Sequence, residues 1–486
     1  MSSNPKYKNR EFFLLTALLI FMVVSLSGSQ VNKSENDKPN ILFIAVDDLN
    51  MNLACYGDTI AISPNIDKLA HEGILFTRAY CQQASCAPSR TSLLTGRRPD
   101  EIGVVDHVTH FRDNFPETVT LPQLFKSNGY KTISIGKIFH FAKGFQDSIS
   151  WSEPELYKTG IKKEQYVLPK NRSGGKAAST ECVNGDDDLY WDGQIAGEAV
   201  RYLRQFESEK TPFFLAVGFL KPHLPFCAPK KYWDLYDNEF TLNEKERAKP
   251  VNAPDLAFHQ LQELRGYKDI PKKGPLTLEQ EKKLLHGYYA CISYVDAQIG
   301  KIINELKVLG MAENTIIVLW SDHGYHTGDF GLWCKATNFE AATRVPLIFS
   351  GPGISKGLES SSVVELLDIY PTLAELSGYP IPDGVSGTSL YPILKNQKYK
   401  ANGIALSQFV RPYSAIRSRE PKIMGYSVRT PEYRYTEWRS FPDMGVVEKE
   451  LYQMTDNNME ENNLAGDNRF NSIMKKLSQE IDKRRK

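Results

Sequence analysis

Five short runs of this chain are dominated by apolar residues, and each stops near a polar, glycine or proline break. They are residues 40–46 (NILFIAV), 132–138 (TISIGKI), 213–219 (FFLAVGF), 315–320 (TIIVLW) and 345–349 (VPLIF). They are too short for helices and too continuously apolar for strands with one wet face. Runs of this kind are strands covered on both sides, the situation of a parallel sheet between helical layers. Helical segments fall between them: residues 65–72 closed by Gly73, 121–128 closed by Gly129, 193–209, and 284–309 closed by Gly310. The alternation predicts an α/β fold with a large, mostly parallel sheet flanked by helices over residues 40–405. Beyond that point the runs are shorter and β-like, residues 425–438 (GYSVRTPEYRYTEW) among them, and residues 470–485 form an amphipathic helix. Residues 406–486 are therefore expected to be a small C-terminal α+β subdomain.

At the amino end, Lys6, Lys8 and Arg10 precede a largely apolar stretch over 12–26, followed by Ser27, Gly28 and Ser29. That is the order of a secretory signal over residues 1–29, too short for a comfortable membrane span. Residues 30–39 read as a linker. The expectation is an exported protein, periplasmic or secreted, with no stable membrane span once the signal is removed; an uncleaved signal anchor is the alternative. The net charge is +1, so no global basic field draws the chain to nucleic acid, and an anionic substrate must be held by a local cluster. Seven cysteines, at 55, 81, 86, 182, 227, 291 and 334, fit no zinc motif or small disulfide scaffold, and the odd number leaves one for chemistry. Asn32 and Asn171 stand in glycosylation-type triplets.

Ligands of open parallel sheets sit beyond the carboxyl ends of the strands, and there this sequence concentrates its unusual polar residues. Asp47 and Asp48 end the first run, Lys137 and His140 the second, Lys221 and His223 follow the third, and Asp322 and His323 end the fourth. Singly, an Asp pair after a strand is more often a turn or a cap than a metal site, and a lone His there is more often a structural hydrogen-bonding group than a catalyst. Four strands delivering such groups to one edge reverse those odds. Asp47, Asp48 and Asp322 are hard oxygen ligands suited to calcium or magnesium, with His323 adding a nitrogen or facing away; zinc would ask for more His or Cys.

The segment Cys86-Ala87-Pro88-Ser89-Arg90 runs on into Thr91-Ser92-Leu93-Leu94-Thr95-Gly96-Arg97. Pro88 fits the first turn of a helix and Gly96 its end, which places Cys86 at a helix N-terminus, where backbone N–H groups and the dipole favour an anion. Arg90, at i+4, faces the same site. The segment resembles the signature of the formylglycine-dependent (type I) sulfatases, whose cysteine is oxidised by a separate maturation enzyme. Ala45 to Leu49, Gly136 to His140, Lys221 to Phe226, Ser321 to Gly324 with Trp333-Cys334-Lys335, residues 425–438 and Glu450-Leu451-Tyr452 resemble, in order, blocks of iduronate-2-sulfatase and its bacterial relatives.

The resemblance implies an alkaline-phosphatase-like fold and one calcium ion held by Asp47, Asp48, Asp322, His323 and the 3-oxoalanine (formylglycine) made from Cys86. It implies that Arg90 and Lys137 hold the nucleophile and the sulfate oxygens. His140 would take the proton that lets the sulfated intermediate collapse, and His223 and Lys335 would stand at the bridging oxygen. A thiolate attacking a sulfate ester would leave a stable thiosulfate ester, whereas one hydroxyl of a hydrated aldehyde can attack sulfur and the other can expel sulfate as the aldehyde re-forms. The implied substrate is a sulfated oligosaccharide, read as the 2-O-sulfate of a uronic acid in glycosaminoglycan or algal polysaccharide fragments. One departure is the loop Gly328-Asp329-Phe330-Gly331, which lacks a basic residue that relatives often carry there. A phosphomonoester or phosphonate hydrolase on the same scaffold, and a glycan-binding homologue whose Cys86 stays a thiol, are the alternatives. Tyr325 and Trp333 could stack on a sugar or simply pack, and Cys334 reads as a small apolar residue. The reading requires Cys86 to lie beside Asp47, Asp48 and Asp322, within reach of solvent.

Overall fold

A computed structural model of the protein describes residues 38–141, 144–156, 166–172, 177–237, 240, 247–396, 399, 403–454 and 460–485. The expected signal and the linker as far as residue 37 lie outside them. In chain order the main sheet comprises β1 (Asn40–Val46), β2 (Gly73–Tyr80), β3 (Lys131–Gly136), β4 (Phe213–Phe219), β5 (Thr315–Ser321), β6 (Leu347–Ser350) and β7 (Leu358–Glu365), with the two-residue strand Arg344–Val345 at one edge. Across the sheet the order is Arg344–Val345, β2, β6, β5, β1, β4, β3, and β7 also lies beside β2.

β5, β1, β4 and β3 are parallel, and their register sets Val46 beside Phe219 and Ser321, and Gly136 beside Gly218. Their carboxyl ends are level, so Asp47, Lys137, Leu220 and Asp322 all leave the sheet along one edge. The apolar runs exist because both faces are covered. Leu42, Ile44 and Val46 point into a core shared with the helices Pro64–His71 (α1), Trp191–Glu209 (α4) and Leu278–Val308 (α5). Ile41, Phe43 and Ala45 face a second core with Cys86–Thr95 (α2), Leu121–Ser127 (α3) and Ile369–Leu376 (α6). No described helix is long and apolar enough to cross a membrane.

Three expectations need correction. The run 345–349 is not one of the parallel strands: β6 is antiparallel to both β5 and β2. A parallel return needs a crossover of a dozen or more residues, usually helical. Here the connection carries no helix longer than the four residues Glu340–Thr343 and comes back from the edge at which β5 ended. Gly73 does not close a helix but opens β2, where a Cβ would stand 2.1 Å from the Phe349 carbonyl oxygen; the close approach of β6 explains the glycine. α5 begins at Leu278 rather than at residue 284, because Thr277 and Gln280 form a capping box.

A second sheet of four antiparallel strands follows, β8 (Ala405–Arg411), β9 (Ile423–Arg429), β10 (Tyr433–Ser440) and β11 (Val446–Gln453). The helix Asn471–Arg484 (α7) buries Met474, Leu477 and Ile481, residues at helical spacing. β8 docks on the end of β2: Gln408 N donates to the Gln82 carbonyl at 2.8 Å and Ser407 Oγ to that of Cys81 at 2.6 Å.

The β9–β10 hairpin also reaches the loop beyond β5 through charge. Arg429 and Arg434 both pair with buried Glu340, the former at 3.2 Å, and Tyr80 donates to the same carboxylate at 2.6 Å. Burial would push the Glu340 carboxyl up, but the two arginines outweigh it and hold it at about 2. A depressed carboxylate adds stability above its ordinary value of 4.5 and loses it as pH falls through the folded value. Glu340→Gln is therefore expected to lower unfolding free energy by about 3–5 kcal/mol at pH 7. In urea denaturation that deficit should shrink as pH drops from 4.5 toward about 2, and a pH-independent deficit would contradict the assignment. Glu460, paired with Arg434 at 2.6 Å, is pushed by burial and by Glu340 up to about 8 despite that partner, so Glu460→Gln should cost less at neutral pH.

Candidate active site

Each strand end turns its polar residue inward for a local reason. β1 runs straight into Asp47, and Asp48 then takes φ 63°, a left-handed conformation that costs a non-glycine residue about 1–2 kcal/mol. β3 stops at Gly136, whose φ is 75°, so the expected strand 132–138 ends early and Lys137 leaves the sheet. Lys137 N donates to the Gly218 carbonyl at 2.8 Å, and a Cβ at residue 218 would lie 2.0 Å from the Lys137 oxygen. The pair of glycines lets Lys137 tuck beneath the edge. α2 begins at Cys86 and ends at Gly96 in the left-handed conformation, with all ten helical residues buried.

Arg90 is the hub. With no solvent exposure, its Nε lies 2.7 Å from Asp322 Oδ2 and its Nη2 3.2 Å from Asp47 Oδ1, and Nη1 donates to the carbonyls of Lys137 and Ile138. Lys137 Nζ pairs with the other Asp47 oxygen at 2.5 Å. Lys335 Nζ lies 3.0 and 2.9 Å from the two oxygens of Asp48. Cys86 Sγ is 3.2 Å from His323 Nε2, and that ring nitrogen is 3.5 Å from Asp48 and 3.6 Å from Asp322. Nδ1 of His323 faces the Gly324 carbonyl at 3.0 Å. Cys334 and Ala336, on either side of Lys335, are both non-glycines at positive φ, a strain of the kind that collects at functional sites.

The electrostatics follow from this packing. Burial would raise the Asp47 carboxyl, but Lys137, His223 and Arg90 outweigh it and hold it well below the usual carboxylate range. Burial pushes the Cys86 thiol well above its ordinary value, so an unmodified Cys86 is held neutral and is a poor nucleophile. Access is narrower than the sequence reading required, since Cys86 is only 2% exposed. His223, with 25% of its side chain exposed, is the most open of these groups.

The sequence-predicted residues thus meet, with one exception. Asp47, Asp48, Cys86, Arg90, Lys137, Asp322, His323 and Lys335 form one network, and His223 lies on its rim. His140 makes no hydrogen bond to that network among the described residues. Its ring lies tilted against that of His107, centroids 4.6 Å apart, and burial, His107 and Lys137 push it well below the ordinary histidine value. His107, 2.7 Å from Ser85 Oγ just ahead of α2, was not singled out from sequence. Neither was Glu263, 2.9 Å from Lys335 and 3.3 Å from His223. Tyr325 and Trp333 are wholly buried, and Tyr325 stacks on Tyr288 at 5.1 Å, so they pack rather than meet a sugar. All seven cysteines are unbridged. Asn171 is buried and donates to Glu181 at 2.7 Å, which leaves it closed to a glycan.

The residues fit a divalent cation. Ligand atoms of Asp47, Cys86, Asp322 and His323 lie within 4.8 Å of one another, as do those of Asp47, Asp48 and His223. Among the described residues, the carboxylates of Asp47, Asp48, Asp322 and Glu263 pair with three permanent cations, Arg90, Lys137 and Lys335. A divalent ion would turn that balance from net negative to net positive, which an anionic substrate requires. Hard carboxylate oxygens favour calcium or magnesium, and Sγ of Cys86 lies among the candidate ligand atoms.

Known proteins are similar to this chain in sequence and in fold. The family described as Sulfatase matches residues 39–379, and the C-terminal region of N-sulphoglucosamine sulphohydrolase matches residues 328–486. Iduronate 2-sulfatase of Mus musculus is 33% identical over 546 residues, covering 97% of this chain and 98% of that protein. A structure solved with its substrate D-glucosamine-2-N,6-O-disulfate superposes with TM-score 0.72 at 24% identity, over 92% of this chain and 97% of that one. The phosphonate monoester hydrolase of Agrobacterium radiobacter gives TM-score 0.73 at 21% identity, over 92% and 95%. These two likenesses establish the fold alone, whereas the match over residues 39–379 settles the family: the chain belongs to the sulfatases and is a sulfuric ester hydrolase.

Proposed function

We propose that the enzyme removes the 2-O-sulfate of a uronic acid in glycosaminoglycan or algal polysaccharide fragments, with Cys86 oxidised to formylglycine beside one calcium ion. The observation that carries the reading is the convergence of Cys86, Asp47, Asp322 and His323 within 4.8 Å under three buried cations. The uronate part draws its support from the full-length similarity to iduronate 2-sulfatase. The signal over residues 1–29 would carry the chain out of the cytoplasm, and a separate maturation enzyme would oxidise Cys86.

Asp47, Asp48, Asp322, His323 and the oxygen at residue 86 would hold calcium, which supplies positive charge against the sulfate oxygens. Hydrated formylglycine supplies an oxygen nucleophile where burial disables a thiol. Arg90 keeps Asp47 and Asp322 in place. Lys137 holds the nucleophile and a sulfate oxygen. His223 donates a proton from Nε2 to the leaving alcohol oxygen, with Lys335 hydrogen-bonded to the same atom. His140, kept neutral by burial and by His107, is in the protonation state that accepts a proton.

Desulfation of defined sulfated disaccharides, followed by ion chromatography of released sulfate, tests this directly. The expected result is fastest release from a 2-O-sulfated uronate. The likeness to a phosphonate hydrolase makes a second comparison necessary: faster turnover of an aryl phosphate or phenylphosphonate than of the matching aryl sulfate would overturn the reading. Mass spectrometry of the tryptic peptide Ala79 to Arg90 should find the aldehyde; a thiol in protein from a host that has the maturation enzyme would favour the silent glycan-binding alternative.

A further inference from the structure

His223 and Lys335 come from loops far apart in the chain, and a single carboxylate oxygen joins them. Glu263 Oε1 is 2.9 Å from Lys335 Nζ and 3.3 Å from His223 Nε2. Its segment is built to stay put. Leu264 is fully buried, Arg265 donates to the carbonyls of Gln260, Pro271 and Gly274, and Lys272 Nζ donates to the Arg265 carbonyl at 2.6 Å. Arg411 of β8 ties both loops together, donating to the carbonyls of Leu256 and Ala257 upstream of Glu263 and to that of Ala336 beside Lys335. On the other side, Nδ1 of His223 faces the Leu224 carbonyl, and Lys221 Nζ fixes the turn by donating to the carbonyls of His223 and Pro225 at 2.9 and 2.7 Å.

We infer that Glu263 is a positioning residue that sets His223 and Lys335 as one hydrogen-donating pair directed at the bridging oxygen of the ester. The inference rests on the sulfatase mechanism proposed above. With Nδ1 facing the Leu224 carbonyl and Nε2 facing Glu263, His223 starts as the imidazolium. As the sulfur–oxygen bond breaks, its electron pair stays on the leaving oxygen, and the Nε2 proton passes from its contact with Glu263 to that oxygen, leaving neutral imidazole. Lys335 Nζ donates one of its three N–H groups to the same atom and keeps another on Glu263. A sugar alkoxide is strongly basic and depends on that proton; a nitrophenolate leaves with little help. A residue that positions the pair must therefore matter more for the sugar ester than for the aryl ester.

The test is Glu263→Gln in the full-length, formylglycine-containing enzyme. It is assayed on 4-nitrophenyl sulfate and on the sulfated disaccharide that wild type turns over fastest, with Glu263→Asp alongside. The ratio of sugar to aryl kcat is expected to fall by about tenfold or more in the Gln variant. The Asp variant should show a smaller fall in the same direction, and His223→Asn should reproduce the bias. Equal fractional losses on the two esters would mean a structural role, and a loss confined to KM would mean a substrate contact; either overturns the inference. A wild-type enzyme that releases sulfate from neither ester would instead sink the underlying sulfatase mechanism.

Discussion

Cys86→Ala is expected to abolish sulfate release, by about 10⁴-fold or more, while the protein still unfolds in one cooperative transition. The two halves of this expectation have different origins. In the proposed mechanism the oxygen nucleophile arises from the side chain at residue 86, whose Sγ groups with ligand atoms of Asp47, Asp322 and His323. The fold loses one sulfur from a helix whose other nine residues remain buried, a small-cavity change of about 1 kcal/mol. Sulfate release and a thermal melt on the same sample check both. A collapsed melt would make Cys86 a structural thiol and remove the basis for the proposed chemistry.

Arg90→Met carries the second large effect. The guanidinium is fully buried between Asp47 and Asp322, and removing it leaves two buried carboxylates without their common partner. The expected loss is about 3–5 kcal/mol of stability, together with a fall in turnover of about a hundredfold or more. The same carboxylates are the proposed calcium ligands, so the stability deficit should be larger in chelator than in calcium, because a divalent cation relieves the repulsion the variant creates. Urea denaturation in the two buffers measures this; identical deficits would say that no cation binds at these carboxylates.

What the sequence disclosed and what it hid have physical causes. Continuous apolar runs mark strands buried on both faces, so the four parallel strands could be read directly, and with them the edge on which Asp47, Lys137, His223 and Asp322 gather. β2 escaped because Thr77 and Arg78 interrupt its apolar pattern and its opening glycine imitates a helix stop. The direction of β6 depends on where its connection travels, which no local pattern encodes. Glu263 had no signal at all: it sits among Gln260, Gln262 and Arg265 in a polar loop, and only the tertiary fold carries it to Lys335. His140 was found by its place after β3, yet its ring contact with His107 is a long-range one that no spacing reveals.

The level register of the parallel strands has one more consequence, for the order in which the molecule is made. Asp48 and Asp322, whose backbone and side chain hydrogen-bond at 3.2 Å, are 274 residues apart, so a growing chain presents Cys86 and Arg90 long before Asp322 exists. Until β5 inserts beside β1, Arg90 has only half its partners and α2 lacks part of its cover. Pairings this distant in sequence are slow to form, which leaves a window during synthesis when residue 86 is still open to other proteins, a window that closes as the last central strand docks.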